Sequence, residues 1–62
     1  MELTLKNIAP EMLVTDKGRA HFGVGSIDHV KESTVFVYYD ETNELIQYQE
    51  EDLKFLNVLP NG

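Results

Sequence analysis

The chain contains no cysteine. That removes disulfides and thiolate metal sites as a way of stapling a small fold, and with them every cysteine-based redox or zinc motif. Tryptophan is also absent. No apolar run exceeds a few residues, so the sequence offers neither a membrane-spanning helix nor the core of a signal peptide. A reduced, cytoplasmic setting is the default expectation. Positive charge is scarce as well: five Lys and Arg stand against eleven Asp and Glu, for a net charge of −6. Binding to a phosphate backbone rests on Lys and Arg releasing its counterions. Unaided contact with nucleic acid or an anionic membrane is therefore disfavoured.

The charge imbalance is uneven. Residues 1–39 carry five acids (Glu2, Glu11, Asp16, Asp28, Glu32) against four bases (Lys6, Lys17, Arg19, Lys31), a net −1. Residues 40–62 carry Asp40, Glu41, Glu44, Glu50, Glu51 and Asp52 against Lys54 alone, a net −5. These six acids are a candidate acidic patch. In the functional reading they dock a basic partner or mimic nucleic-acid charge. In the plainer reading they are a solvated, solubilising face, with Glu50, Glu51 and Asp52 complementing a helix N-terminus. Their spacing matches no calcium loop.

What is present is a 62-residue chain that is 42% hydrophobic. We expect residues 1–62 to form a single domain. A chain of this size buries only about 60% of the surface its unfolded form exposes. Stability must come from apolar packing, and the apolar surplus that a small core leaves over points to self-association.

Alternation in "ELTLKNI", with Leu3 and Leu5 on one side, predicts a short half-buried strand that ends before Pro10. "EMLVT" reads as the next strand, running into "DKGR", where Gly18 supplies the left-handed residue of a tight hairpin. The return strand spans "AHFGVGSIDHV", with Gly23 and Gly25 marking a bend or a close approach of backbones. "KEST" turns into "VFVYY", β-branched and aromatic throughout and the clearest strand signal in the chain. "DETNE" is a hairpin loop with Asn43 in the left-handed position. "LIQYQ" is a strand, "EEDL" one helical turn, and "FLNVL" the last short strand. The competing assignment makes "QEEDLKFLNVL" a full C-terminal helix.

The run "GVGSID", "VFVYYD", "LIQYQEEDL", "LNVL" resembles the SH3-like barrel superfamily, which includes Tudor and KOW modules. In that pattern a glycine-containing strand meets a β-branched strand, then a hairpin, then a "Y-x-x-x-D-L" turn into the final strand. The resemblance covers roughly residues 11–59 and implies an all-β architecture: a small SH3-like barrel of five or six short antiparallel strands with one helical turn before the last. It does not imply an activity. SH3 domains proper bind proline-rich peptides with a paired tryptophan and a long loop, which this chain lacks. Ile46-Gln47-Tyr48 is similar to the "V-Q-I-Y" strand of the type II dihydrofolate reductases, small oligomeric pore enzymes. The isoleucine between Gln and Tyr is missing here, which puts those two side chains on opposite faces.

Alternation places Val35, Val37 and Tyr39 on one face and Phe36 and Tyr38 on the other. The inward sets are Val35/Val37 with Ile46/Tyr48. Phe36, Tyr38 and Leu45 then form an outward apolar patch, the candidate interaction surface. The plainer reading covers that patch with Leu3 and Leu5 of the N-terminal strand. In "SIDHV", Ser26, Asp28 and His29 supply the residue types of a hydrolytic triad, but alternation puts His29 opposite the other two. His21 and His29 are not expected to converge on a metal, with Asp28 pointing away from His29. "FGVGS" lacks the third glycine and the helix of a nucleotide-binding loop. The expectation is a non-enzymatic interaction module without cofactor or metal. Its partner is a protein, a second copy of the chain foremost, with an acidic adaptor and a small pore enzyme as the alternatives.

Overall fold

The computed structural model describes residues 3–60. Their fold is all-β: strands β1 (Leu13–Asp16), β2 (Gly25–Lys31), β3 (Thr34–Tyr39), β4 (Glu44–Gln49) and β5 (Leu56–Val58), with 3-10 helices at Ala20–Phe22 and Glu50–Phe55. All pairings are antiparallel, in one sheet of order β4-β3-β2-β1-β5. The barrel-like fold with one helical turn before the last strand is as the sequence predicts. Among the described residues no helix is long and apolar enough to cross a membrane.

The core follows from period-two alternation. In β3, Val35, Val37 and Tyr39 are fully buried, while Thr34, Phe36 and Tyr38 are half-buried on the other face. Directly opposite lie Tyr48 and Ile46, registered with Val35 and Val37. Ile27, Val14 and Leu56 continue the inner face, and Leu3, Phe22 and Leu53 close it from the connections. The helix at Glu50–Phe55 starts with three acids and carries Lys54 in its last turn, the arrangement its dipole favours. It does not extend to the chain's end. Leu56 returns to extended backbone, and its segment pairs with β1 through Asp16↔Leu56.

Three expectations fail. The described part of "ELTLKNI" is no strand. The Asn7 side chain accepts the Thr4 N–H at 2.8 Å and the Asn7 N–H reaches back to the Thr4 carbonyl, closing a turn where alternation suggested extension. A second turn follows at Ala9–Met12, closed by Met12 N–H to the Ala9 carbonyl, with Pro10 second and Glu11 third at φ 71°. That is the type II pattern, whose third position favours glycine. β1 consequently begins at Leu13, later than "EMLVT" suggests. "DKGR" is likewise not a two-residue hairpin. Gly18 is not left-handed; its N–H donates to the Asp16 carboxylate at 2.9 Å. The chain runs on into the first 3-10 helix, which drives Phe22 into the core, and β2 begins only at Gly25. Two turn assignments do hold in place: Asn43 is left-handed at φ 56°, and residues 32–33 join β2 to β3 with Glu32 at φ 57°.

The glycines of "FGVGS" have separate reasons. Gly23, at φ 70°, leaves the 3-10 helix in a conformation that side chains resist,. Gly25 instead lies under a ring: a Cβ there would stand 2.6 Å from the Tyr39 ring and 2.8 Å from Val37. Both neighbours are fully buried and cannot give way cheaply.

Two stability measurements check this account by urea unfolding. Gly25→Ala is expected to destabilise by about 1–3 kcal/mol through overpacking. Glu11→Gly is expected to stabilise by about 0.5–1 kcal/mol, since relief of left-handed strain outweighs the extra flexibility of the unfolded chain.

Candidate functional site

Two groups of side chains stand out, one inside the barrel and one on its outer face. Inside, Asp16 at the end of β1 is a carboxylate only 4% exposed. Its Oδ2 accepts the Tyr48 hydroxyl at 2.6 Å and Arg19 Nε at 3.2 Å, and its Oδ1 accepts the Gly18 N–H at 2.9 Å. An ionised carboxylate only accepts, so Tyr48 must donate to Asp16. Its oxygen is then left to accept from Tyr39, 2.7 Å away. The direction of the whole chain, Tyr39 to Tyr48 to Asp16, is thereby fixed. Arg19 covers it, its guanidinium carbon 5.0 Å from the Phe22 ring centre and 5.9 Å from that of Tyr48.

Burial pushes the Asp16 carboxyl up, but the bonds from Tyr48 and Gly18 and the charge of Arg19 outweigh it and hold it below the ordinary carboxylate value,. Both phenols move the other way. Burial raises Tyr48 above the ordinary phenol value, and donation to Asp16 raises it further; burial likewise raises Tyr39. These shifts carry Asp16 and both phenols away from neutral pH. The cluster holds β1, β3, β4 and the loop after β1 together.

The outer face carries the predicted patch. Tyr38 is registered with Leu45 across β3 and β4, and Phe36 with Gln47. Phe36 and Tyr38 are half-buried and Leu45 is 49% exposed. On the other side Tyr38 faces Ser26, and Ser26 faces Leu13. The Leu59 N–H donates to the Leu13 carbonyl. A band of Leu59, Leu13, Ser26, Tyr38 and Leu45 thus crosses the full width of the sheet, a sequence of neighbours that only the strand order reveals. Leu3 and Leu5 do not cover it: Leu3 lies in the core and Leu5 packs against the core's margin. The Tyr38 hydroxyl donates to Asn43 Oδ1, tying the patch to its hairpin.

A β-bulge changes the reading of "SIDHV". Ile27 pairs with Val37, but the next pair is His29 with Phe36, so Asp28 is extra,. Ser26 and His29 consequently share the outer face. Asp28 does not point away from His29: its Oδ2 lies 2.6 Å from His29 Nδ1. The imidazole stacks on Phe36, centroids 4.2 Å apart at 11°, which enlarges the aromatic patch. The pair is about half exposed and Ser26 makes no hydrogen bond to the ring, so the relay of a hydrolytic triad is not assembled. Beside it a recess of about 340 Å³ opens between Leu5, Ile8, Pro10 and β2.

The six acids do not form one cluster. Glu44 is registered with Tyr39 and Gln49 with Thr34, so Asp40, Glu41 and Glu44 sit at one end of β4 and Glu50, Glu51 and Asp52 at the other. Among the described residues no three His, Cys, Asp or Glu side chains gather as a metal site.

The internal cluster makes stability depend on pH at both extremes. The lowered Asp16 contributes stability above its unfolded value of about 3.9, and this is lost as pH falls through the native value. The raised phenols contribute stability below about pH 10, and this is lost as pH climbs above it. Tyr48→Phe removes the donor to Asp16 and the acceptor of Tyr39. We expect it to cost about 1–3 kcal/mol and to move the acid-unfolding midpoint to higher pH, as read by circular dichroism across a pH series.

Comparison with family models, with curated proteins and with solved structures finds no match for this chain.

Proposed function

We propose that this chain is a non-enzymatic interaction module of the SH3-like barrel class that self-associates through the outer face of its sheet. The observation that carries this reading is the apolar band of Leu59, Leu13, Tyr38 and Leu45, widened by Phe36 with its stacked His29. An uncovered aromatic and aliphatic surface of this kind costs solubility unless something covers it. Aromatic side chains at the centre of such a patch supply much of the energy of protein association.

The flanking acids set the sign of charge around the patch. Lying at opposite ends of β4, they serve a basic adaptor partner poorly, since such a partner would have to reach both groups across the strand. The absence of cysteine accords with a reduced, cytoplasmic setting. The closed polar cluster and the unassembled Ser26, Asp28 and His29 give no support to an enzyme.

Sedimentation equilibrium over the micromolar range tests the reading. The wild type is expected to show a reversible dimer or larger species, and Leu45→Asp, an exposed position whose change spares the core, is expected to sediment as a monomer. A monomeric wild type at every concentration would refute self-association.

A further inference from the structure

Resting on that reading, we infer that the second copy joins along the open edge of β4, by antiparallel pairing of β4 with its own mate about a two-fold axis through Ile46. The bonding directions along the sheet lead there. The Ile27 N–H and carbonyl engage Met12 and Glu11, so the backbone of Ile27 faces away from β3. Bonding alternates along a strand; Ser26 therefore bonds Tyr38, while Val35, Val37 and Tyr39 bond β4. Their register partners Tyr48, Ile46 and Glu44 point back at β3. Leu45 and Gln47 are left with N–H and carbonyl groups directed outward. Among the described residues no strand pairs with this edge, and no backbone hydrogen bond outside the ladders involves it.

Edges of this kind are usually blunted by lysine, proline, a bulge or extreme shortness. β5, the opposite edge, has three residues and is followed by Pro60. β4 has six residues, "ELIQYQ", with no lysine, no proline and an unbroken register. Its one charge selects how two copies align. Equivalent faces match only when a residue lies on the axis. Centring on Gln47 sets Glu44 against the partner's Glu50, and centring on Tyr48 sets it against the partner's Asp52. Centring on Leu45 pairs only three residues of each strand. Centring on Ile46 pairs residues 44–48 throughout, with Glu44 opposite the partner's Tyr48 and the next pair, Asn43 with the partner's Gln49, uncharged; carboxylates meet only where both strands have ended, Glu41 against the partner's Glu51 and Asp40 against the partner's Asp52. It also sets Leu45 opposite the partner's Gln47, which neighbours the partner's Phe36. The two bands then meet at their Leu45 ends in a continuous ten-stranded sheet, and that end of the outer face is the part the second copy covers.

The missing cysteines make the test clean. In this alignment Ile46 meets its own copy as a non-hydrogen-bonded pair, with Cα atoms about 4.5 Å apart, within disulfide reach. Single-cysteine variants Ile46→Cys and Tyr38→Cys are oxidised at a concentration where the wild type is dimeric. Ile46→Cys is expected to convert largely to a covalent dimer, with Tyr38→Cys remaining mostly uncrosslinked. Gln47→Pro, which removes an outward N–H and spares the ladder with β3, is expected to weaken association at least ten-fold with an unchanged circular dichroism spectrum. Crosslinking through Tyr38→Cys in preference to Ile46→Cys, or undiminished association of Gln47→Pro, would overturn edge pairing while leaving self-association standing. A monomeric wild type would remove both.

Discussion

The bond from Tyr48 to Asp16 is the constraint that organises the molecule. β4 and β1 are separated in the sheet by β3 and β2, so a flat sheet would hold these two residues three strand spacings apart, about 14 Å. They meet at 2.6 Å only because the sheet curls until its faces oppose. The carboxylate is nearly excluded from water and remains ionised, so each of its contacts carries weight: a buried charge is tolerated only when it is paired and hydrogen-bonded. Gly18, Arg19, Tyr48 and, at one remove, Tyr39 satisfy it from the loop after β1 and from two further strands. In a chain with no disulfide, this polar contact fixes curvature that hydrophobic packing alone would leave adjustable.

Curling in this way also fixes what remains outside. With Val35, Val37, Tyr39 and Tyr48 committed to the interior, the alternate residues of the same strands must face out. They include Phe36, Tyr38 and Leu45. The bulge at Asp28 keeps the inner side chain of Ile27 in register while turning His29 onto the outer face, against Phe36. Core and candidate interface are therefore two sides of one strand pattern, and the chain cannot fill the first without displaying the second.

The central hairpin was legible in the sequence because its signals agree: β-branched and aromatic alternation in "VFVYY", an asparagine at the left-handed turn position, and acids ahead of a helical turn. Elsewhere a local signal pointed one way and tertiary context the other. Leu3 and Leu5 alternate as in a strand, yet the Asn7 side chain closes a turn and Glu11 occupies a position that turn chemistry assigns to glycine,. Gly18 looked like the hairpin residue, whereas Gly23 bears the positive φ. The bulge falls at an aspartate, with no glycine to announce it. Asp16 read as the first residue of a loop, and no pattern in one sequence could show that two tyrosines more than twenty positions away would enclose it. The patch Phe36, Tyr38 and Leu45 followed from alternation alone; its extension to Leu13 and Leu59 needed the strand order.

The connection from β4 to β5 has a consequence of its own. It is a 3-10 helix over Glu50–Phe55, with three residues per turn and about 2.0 Å of rise per residue. Six residues then bridge about 12 Å, against about 9 Å for the same segment as an α-helix. Positions three apart eclipse one another, so Glu51 and Lys54 share a wet side, and the Leu56 N–H closes the helix on the Leu53 carbonyl, leaving both leucines buried,. Lengthening or shortening this bridge by one residue would rotate the following strand by a third of a turn and expose Leu56. Across descendants of such a chain, length changes here should survive only in whole turns of three.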